Sequence, residues 1–425
     1  MSEWTNSVLT GDVRERLDDL PDDSVHMAMT SPPYFGLRDY GHDDQIGLED
    51  ELDAYIEELV AVFRDLRRVL RPDGSAWLNL GDSYAGSGGA GGDFQTNSNS
   101  VKPNPTPKGK TASELNGGVR NGSLKGSTLG RKNKMLVPHR VAIALQSDGW
   151  VVRNDVTWVK PNPMPQSVKD RLNTTTEQIF HLTPNPDYWY DLDAIREPHA
   201  TAEHHERYHG NGQDRPKQDA VREEQPVQHE LGQENTGCHP AGKNPGDVFE
   251  VTTKPFPDAH FAVYPPELCE KPLKATCPPK VCAECGSPYE RETRDESGFT
   301  DGVCNACGRS KSKHKQGTKN AESGSAMAGD VRICSNKITE GWTPTCDCDT
   351  DATEPGIALD PFAGAGTTLL KAKELGRRFV GVELNAEYAD MARARIGLTP
   401  NDPATVRSDD AQQGFEAYTD GGDSA

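Results

Sequence analysis

The sequence predicts an α/β protein built on a mainly parallel, doubly wound sheet. Short apolar runs of strand character alternate along the chain with stretches of helical periodicity, the pattern of a sheet covered by helices on both faces. The two most distinctive motifs are Ser31-Pro32-Pro33-Tyr34 and Asp360-Pro361-Phe362-Ala363-Gly364-Ala365-Gly366-Thr367. Each follows a strand-like run, and open parallel sheets bind ligands at the carboxyl ends of their strands.

The first strand lies within residues 7–12 and ends at Gly11-Asp12. Residues 25–30 make the second, stopped by two prolines that cannot continue a central strand. From 49 to 70 apolar residues recur at helical spacing, among them Leu52, Tyr55, Leu59, Phe63 and Leu66. Arg71-Pro72-Asp73-Gly74 is expected to stop that helix ahead of a buried strand over 76–80. Residues 83–134, rich in Gly, Ser and Asn, read as a flexible loop. Its part from 94 on carries Lys102, Lys108, Lys110, Arg120, Lys125, Arg131, Lys132 and Lys134 against Glu114 alone. That local reversal of charge suits either a polyanion or a solvated linker. A helix over 138–147 and strands over 151–160 and 177–182 follow. Residues 198–245 are polar and show no core pattern, and 256–268 read as a short ordered stretch. A strand over 357–360, a helix over 367–375, a strand over 379–383 and a helix to about 396 complete the fold. The acidic tail 399–425 is expected to be disordered.

The 425 residues carry a formal charge of −20 and are 34% hydrophobic. No apolar run is long enough to span a bilayer, and the start lacks the order of a signal peptide. A cytoplasmic protein without a membrane role is expected. The acidity argues against a phosphate-rich partner, unless it is a surface adaptation to salt, as in haloarchaeal proteins, with basic residues kept for one face.

The glycine motif is not the dinucleotide fingerprint, because Leu369 fills the position of its last glycine. No Gly-Lys-Ser/Thr follows, which excludes a phosphate-binding P-loop. Seventeen residues beyond Gly366, Glu383 ends the next strand. A carboxylate there is suited to accept from both hydroxyls of a ribose, although a solvated strand end is the plainer alternative. Asp360 is expected to point at a cationic part of the ligand. Around Ser31 the chemistry suits a flat base. An exocyclic amine is a poor nucleophile until acceptors on its hydrogens localise the lone pair. The Ser31 hydroxyl and the Pro32 carbonyl are such acceptors, Pro32 and Pro33 lack N–H groups, and Tyr34 offers a ring for stacking. A base inside a duplex must first be flipped out. A rigid turn is the competing account of Pro32-Pro33.

Thr30-Ser31-Pro32-Pro33-Tyr34, the glycine motif and Gly381-Val382-Glu383-Leu384-Asn385 resemble the amino-methyltransferases of DNA, in the circularly permuted beta group whose catalytic loop precedes the cofactor loop. Gly11-Asp12, the stretch Trp158 to Pro163 and the stretch Phe256 to Leu268 extend the resemblance over nearly the whole chain. It implies an S-adenosylmethionine-dependent methyltransferase fold with Ser31, Pro32, Pro33 and Tyr34 catalytic. It implies that Asp12, Phe261, Asp360, Phe362, Gly364, Gly366, Thr367 and Glu383 hold S-adenosylmethionine, Asp12 near the adenine. Double-stranded DNA is the implied partner, with room for a cognate restriction endonuclease. A serine at the head of the loop is commoner in cytosine-N4 enzymes, so cytosine N4 is expected, with adenine N6 as the alternative. RNA methylation and a silent DNA-binding regulator stand behind both. Methylation at ring carbon 5 needs a cysteine nucleophile, and none lies near Ser31. The implied segments are 1–161 as the catalytic part, 162–250 for target recognition, 251–276 beside the cofactor, 277–350 as a zinc-knuckle insertion and 351–398 for the cofactor.

The ten cysteines all fall between Cys238 and Cys348. Cys282-x2-Cys285 and Cys304-x2-Cys307 are separated by 18 residues, a structural zinc spacing. A second pairing joins the first knuckle to Cys346-x-Cys348, as in similar chains of the family. It leaves Cys304 and Cys307 to a nested site with Cys334 and His314. Both pairings stay open on the sequence.

Overall fold

A computed structural model describes residues 4–37, 45–85, 129–197, 242–254, 263–297, 299–300, 303–304 and 335–398. Most of the basic loop, nearly all of 198–245, Phe261, Cys307, His314, Cys334 and the acidic tail lie outside the described residues, and of Cys304 only the backbone is described.

Along the chain the strands are β1 (Ser7–Thr10), β2 (Val25–Thr30), β3 (Leu70–Leu80), β4 (Val151–Val159), β5 (Thr176–Thr183), β6 (Val248–Glu250), β7 (Val281–Cys282), β8 (Tyr289–Ser297), β9 (Phe299–Thr300), β10 (Val303–Cys304), β11 (Ser335–Pro344), β12 (Thr353–Glu354), β13 (Ile357–Asp360) and β14 (Arg378–Glu383). The helices are α1 (Val13–Asp18), α2 (Leu52–Val69), α3 (Val137–Ser147), α4 (Glu267–Thr276), α5 (Thr367–Glu374) and α6 (Ala386–Ile396).

The chain divides into two units. The first comprises 1–191, 246–289 and 344–425 and contains an eight-stranded sheet in the order β1-β14-β13-β2-β3-β5-β4-β6. Strand β5 is antiparallel to both β3 and β4, and the other neighbouring pairs are parallel. The exception has a local cause. Residues 160–175, between β4 and β5, contain no helix to carry the chain back across the sheet, so the two strands run in opposite directions. The second unit comprises 192–245 and 290–343, where β8 pairs with β11 and β9 with β10.

The alternation of side chains along each strand feeds two cores. Ala28, Leu78, Leu359 and Val380 join Tyr55, Leu59, Phe63 and Val141 on one face. Met27, Met29, Trp77, Ala358 and Phe379 join Leu268, Leu369 and Ala392 on the other. Fully burying one such large side chain contributes about 1.5–3 kcal/mol. Asp12 caps α1 by accepting from Arg14 N (2.8 Å), and Asn385 caps α6 by accepting from Glu387 N (2.9 Å).

Several boundaries differ from expectation. Strand β3 begins at Leu70, so Pro72 and Gly74 lie inside it. Helix α1, strand β6 and helix α4, with Pro272 inside it, have no counterpart in the sequence reading. The stretch 162–250 divides between the units, because β5 pairs with β3 in the main sheet. Among the described residues no helix is long and apolar enough to cross a membrane.

Candidate active site

The neighbours β13 and β2 are where the sheet changes winding direction. From β13 the chain passes through α5 to β14 on one side, and from β2 through α2 to β3 on the other. Both motif loops leave the carboxyl ends of these two strands, which opens a crevice between them.

On the β13 side, Gly364 and Gly366 adopt φ of +50° and +72°. A side chain on Gly366 would press on Ala392 of α6 at 3.0 Å, whereas Gly364 faces open space. Glu383 supports this turn. Its Oε2 accepts from Gly364 N (2.7 Å) and its Oε1 from Asn385 N (2.9 Å). Burial pushes its carboxyl up, with those amides opposing the shift. Gly11 N donates to Glu383 O (3.0 Å), so Asp12 starts at the same end of the sheet. Burial alone would raise the Asp12 carboxyl, but the Arg14 side chain and amide hold it below its ordinary value.

Asp360 is buried under the loop rather than exposed to a ligand. Tyr264 Oη donates to its Oδ2 (3.0 Å) and Phe362 N to its Oδ1 (3.2 Å), while burial raises its pKa. It can therefore act on a cation only through its field or through Tyr264. Thr367, also expected to meet the cofactor, accepts from Arg395 Nη1 (2.9 Å) and ties α5 to α6. Phe362 is partly buried against the core.

On the β2 side, Tyr55 Oη of α2 donates to the Pro33 carbonyl (2.8 Å), and Phe35 is buried 5.4 Å from the Tyr55 ring. These contacts fix the Ser31–Tyr34 turn from below. Tyr34 is held at its hydroxyl. It donates to Glu177 Oε2 (2.8 Å) and receives Asn79 Nδ2 (3.1 Å) and Ser31 Oγ (3.2 Å). Its ring lies against Gly81, where an added Cβ would fall 2.5 Å from a ring carbon. Burial, then the Glu177 charge, push the phenol well above its ordinary pKa. Lys160 at the end of β4 pairs with Glu177 Oε1.

Sequence reasoning placed Tyr55 only in the apolar stripe of a helix and missed the part that it, Asn79, Gly81, Glu177 and Tyr264 take in the site. Lys160 and Tyr264 lay inside stretches quoted for the resemblance. Glu177 left no clear sign, because its strand also carries Thr176, Gln178, His181 and Thr183.

Four cysteines meet elsewhere. The sulfurs of Cys282, Cys285, Cys346 and Cys348 lie within 4.8 Å of one another. A tetrahedral zinc with bonds of about 2.3 Å asks for sulfur separations of about 3.8 Å, so the set fits a soft divalent ion. Of the two pairings, this is the one that joins the first knuckle to Cys346 and Cys348. The knuckle is tied to the amino ends of the central strands. Ile357 N donates to His26 Nδ1 (3.1 Å), so the proton sits on His26 Nε2, which donates to Gly286 O (2.9 Å). Arg71 Nη1 donates to Cys285 O (3.0 Å). The cluster thus caps the end of the sheet opposite the two loops.

Comparison with known proteins agrees with this geometry. A family model described as DNA methylase matches residues 25–282 and 350–394. The Type II methyltransferase M.SmaI of Serratia marcescens is 32% identical over 393 residues, covering 92% of this chain and 90% of that one. M.SfiI of Streptomyces fimbriatus, also a Type II methyltransferase, is 33% identical over 412 residues, covering 90% and 89%. The solved cytosine-N4-specific PvuII DNA methyltransferase overlays 93% of this chain and 88% of its own at 14% identity and a TM-score of 0.46, too loose a likeness to add to the argument.

Proposed function

This chain belongs to the N6/N4 DNA methyltransferase family, and on that premise we propose that it transfers a methyl group from S-adenosylmethionine to the N4 amine of a cytosine in duplex DNA. One observation carries the reading: the amine-accepting loop 31–34 and the glycine loop 360–366 leave adjacent parallel strands on the two sides of the winding switch. The serine at the head of the first loop favours cytosine, and adenine N6 is the alternative.

The residues present fit the cofactor. Gly364 offers open space beside a backbone that only glycine adopts readily, with the Glu383 carboxylate next to it. Glu383, Asp12, Phe362 and Gly364 would hold S-adenosylmethionine, with Asp360 and Tyr264 as the floor. When bound, the cofactor supplies an electrophilic methyl group on its sulfonium. Ser31 Oγ and the Pro32 carbonyl accept from the two hydrogens of a flipped amine and localise its lone pair. Tyr55 and Phe35 keep the turn in place while this happens.

The catalytic strands β2 and β3 precede the cofactor strands β13 and β14 in the chain yet adjoin them in space, which supports a circular permutation. Cys282, Cys285, Cys346 and Cys348 form a structural zinc site, since methyl transfer from a sulfonium needs no Lewis acid. Duplex DNA is the substrate, and a cognate restriction endonuclease is its natural counterpart. Expression in a host free of DNA methylation, followed by sequencing with modification detection, tests the reading. N4-methylcytosine at one recurrent sequence is expected. N6-methyladenine would move the chain to the alternative, and unmodified DNA would overturn both.

A further inference from the structure

The hydrogen bonds around Tyr34 can run in only one direction. The Glu177 carboxylate can only accept, and Lys160 occupies its Oε1. Its Oε2 therefore takes the Tyr34 hydroxyl proton (2.8 Å) together with Asn79 Nδ2 (2.9 Å). With its one proton committed, Tyr34 Oη acts as acceptor for Ser31 Oγ–H (3.2 Å) and Asn79 Nδ2 (3.1 Å). Asn79 cannot turn its amide over, because its oxygen would then face the carboxylate. It stays in this orientation although its buried Oδ1 has no protein partner among the described residues. The Ser31 proton thus points toward Tyr34, and Ser31 keeps lone-pair capacity for an incoming N–H. At the far end, the Glu177 and Lys160 side chains are 16% and 20% exposed, so the chain of hydroxyls reaches water.

We propose that Ser31, Tyr34 and Glu177 form a path that removes the proton released by methyl transfer, with Asn79 and Lys160 holding its direction. The inference rests on the amino-methyltransferase reading given above. As the amine's lone pair bonds to the methyl carbon, the methyl–sulfur bond breaks and its electrons stay on sulfur. The methylated amine is then cationic and must lose one proton. That proton passes to Ser31 Oγ as the Ser31 hydroxyl proton passes to Tyr34 Oη. The Tyr34 proton moves in turn to Glu177 Oε2, giving a neutral carboxylic acid that returns its proton to water. Neither hydroxyl ends with a net charge, so the buried phenol never has to ionise. Lys160 holds the other carboxylate oxygen, Oε1, and leaves Oε2 to the Tyr34 proton.

Two variants test the path on a duplex carrying the modified sequence: Glu177→Gln, and Tyr34→Phe, which keeps the ring. Single-turnover methylation is expected to fall roughly tenfold to a hundredfold in each, with the double variant no slower than the slower single one. The parent should show a solvent deuterium isotope effect, and both variants should lose it. Cofactor affinity and the fluorescence of 2-aminopurine at the target position, which reports flipping, should stay at parental values. If Glu177→Gln fails to fold, Tyr34→Phe decides alone. Variants within twofold of the parent, or with its isotope effect intact, overturn the path. So does slow methylation that traces to lost flipping, because Tyr34 and Glu177 would then only support the turn. A parent that methylates no DNA overturns the proposed function, and the path with it.

Discussion

Around Tyr34 the smallest neighbour is as constrained as the reactive ones. Gly81→Ala would place a methyl group 2.5 Å from the ring, so the ring or its loop must shift. We expect methyl transfer to drop about tenfold or more, since a displacement near 1 Å at a reacting group is costly, while calorimetry shows unchanged cofactor affinity. Ser31→Ala removes an oriented acceptor and should cost on the order of 10²-fold in single-turnover rate; a parental rate would remove Ser31 from the site. A third residue governs acid stability. His181 is buried, stacked on Trp77 at 4.2 Å with its Nε2 3.1 Å from Ser75 Oγ. Burial, helped by nearby Arg153, lowers its pKa to about 3 from an ordinary 6.5. The Tyr188 and Tyr190 rings also face it. The unfolded chain therefore binds a proton that the folded chain refuses. The stabilisation is complete above pH 6.5 and is lost as pH falls toward 3, by about 2 kcal/mol between pH 7 and 5. Urea titrations at both pH values should show that loss and a shallower one in His181→Phe; equal slopes would contradict it.

Among the elements, the cysteine knuckle makes the clearest claim. About one tightly bound zinc per chain is expected from Cys282, Cys285, Cys346 and Cys348. Cys348→Ser should release it and lower the melting temperature by several degrees or more, because metal binding is coupled to folding, while Cys304→Ser leaves this site loaded. Metal analysis beside thermal melting checks both, and a zinc-free protein of parental stability would refute the site. Elements with a repeating burial pattern were legible in the sequence. α2 shows its stripe from Leu52 to Val69, and β2 and β13 show apolar runs ended by their motifs. The missed elements lack such a pattern. α1 has six residues with two buried, Val13 and Leu17, β6 has three residues, and Pro272 breaks the helical reading of α4. The two loops of the site were legible because their chemistry is local. Their supports were not, since Tyr34 meets Glu177 across 143 residues and Asp360 meets Tyr264 across 96, and spacing alone does not reveal such pairs.

For the molecule as a whole, a charge of −20 on a DNA-modifying chain calls for a salt argument. If the acidity is a salt adaptation, stability and methylation should peak in concentrated KCl. Counterion release then adds little to binding, because affinity falls with a log–log slope of about −0.9 per phosphate contact. Discrimination between cognate and scrambled duplexes should persist as general affinity fades. Methylation of both from low to molar KCl tests this, and an optimum at low salt would end the salt-adaptation account. The strand order has another consequence, in the time a ribosome takes to make the chain. Met27 of β2 pairs with Ala358, and Thr10 of β1 with Glu383. Until residues beyond 350 emerge, β2 carries the reaction loop on an open strand edge and β1 has no partner among the described strands. Such edges attract other chains. Synthesis of residues 1–350 alone should give insoluble protein, and a soluble, monomeric fragment would show that the sheet does not wait for its last two strands.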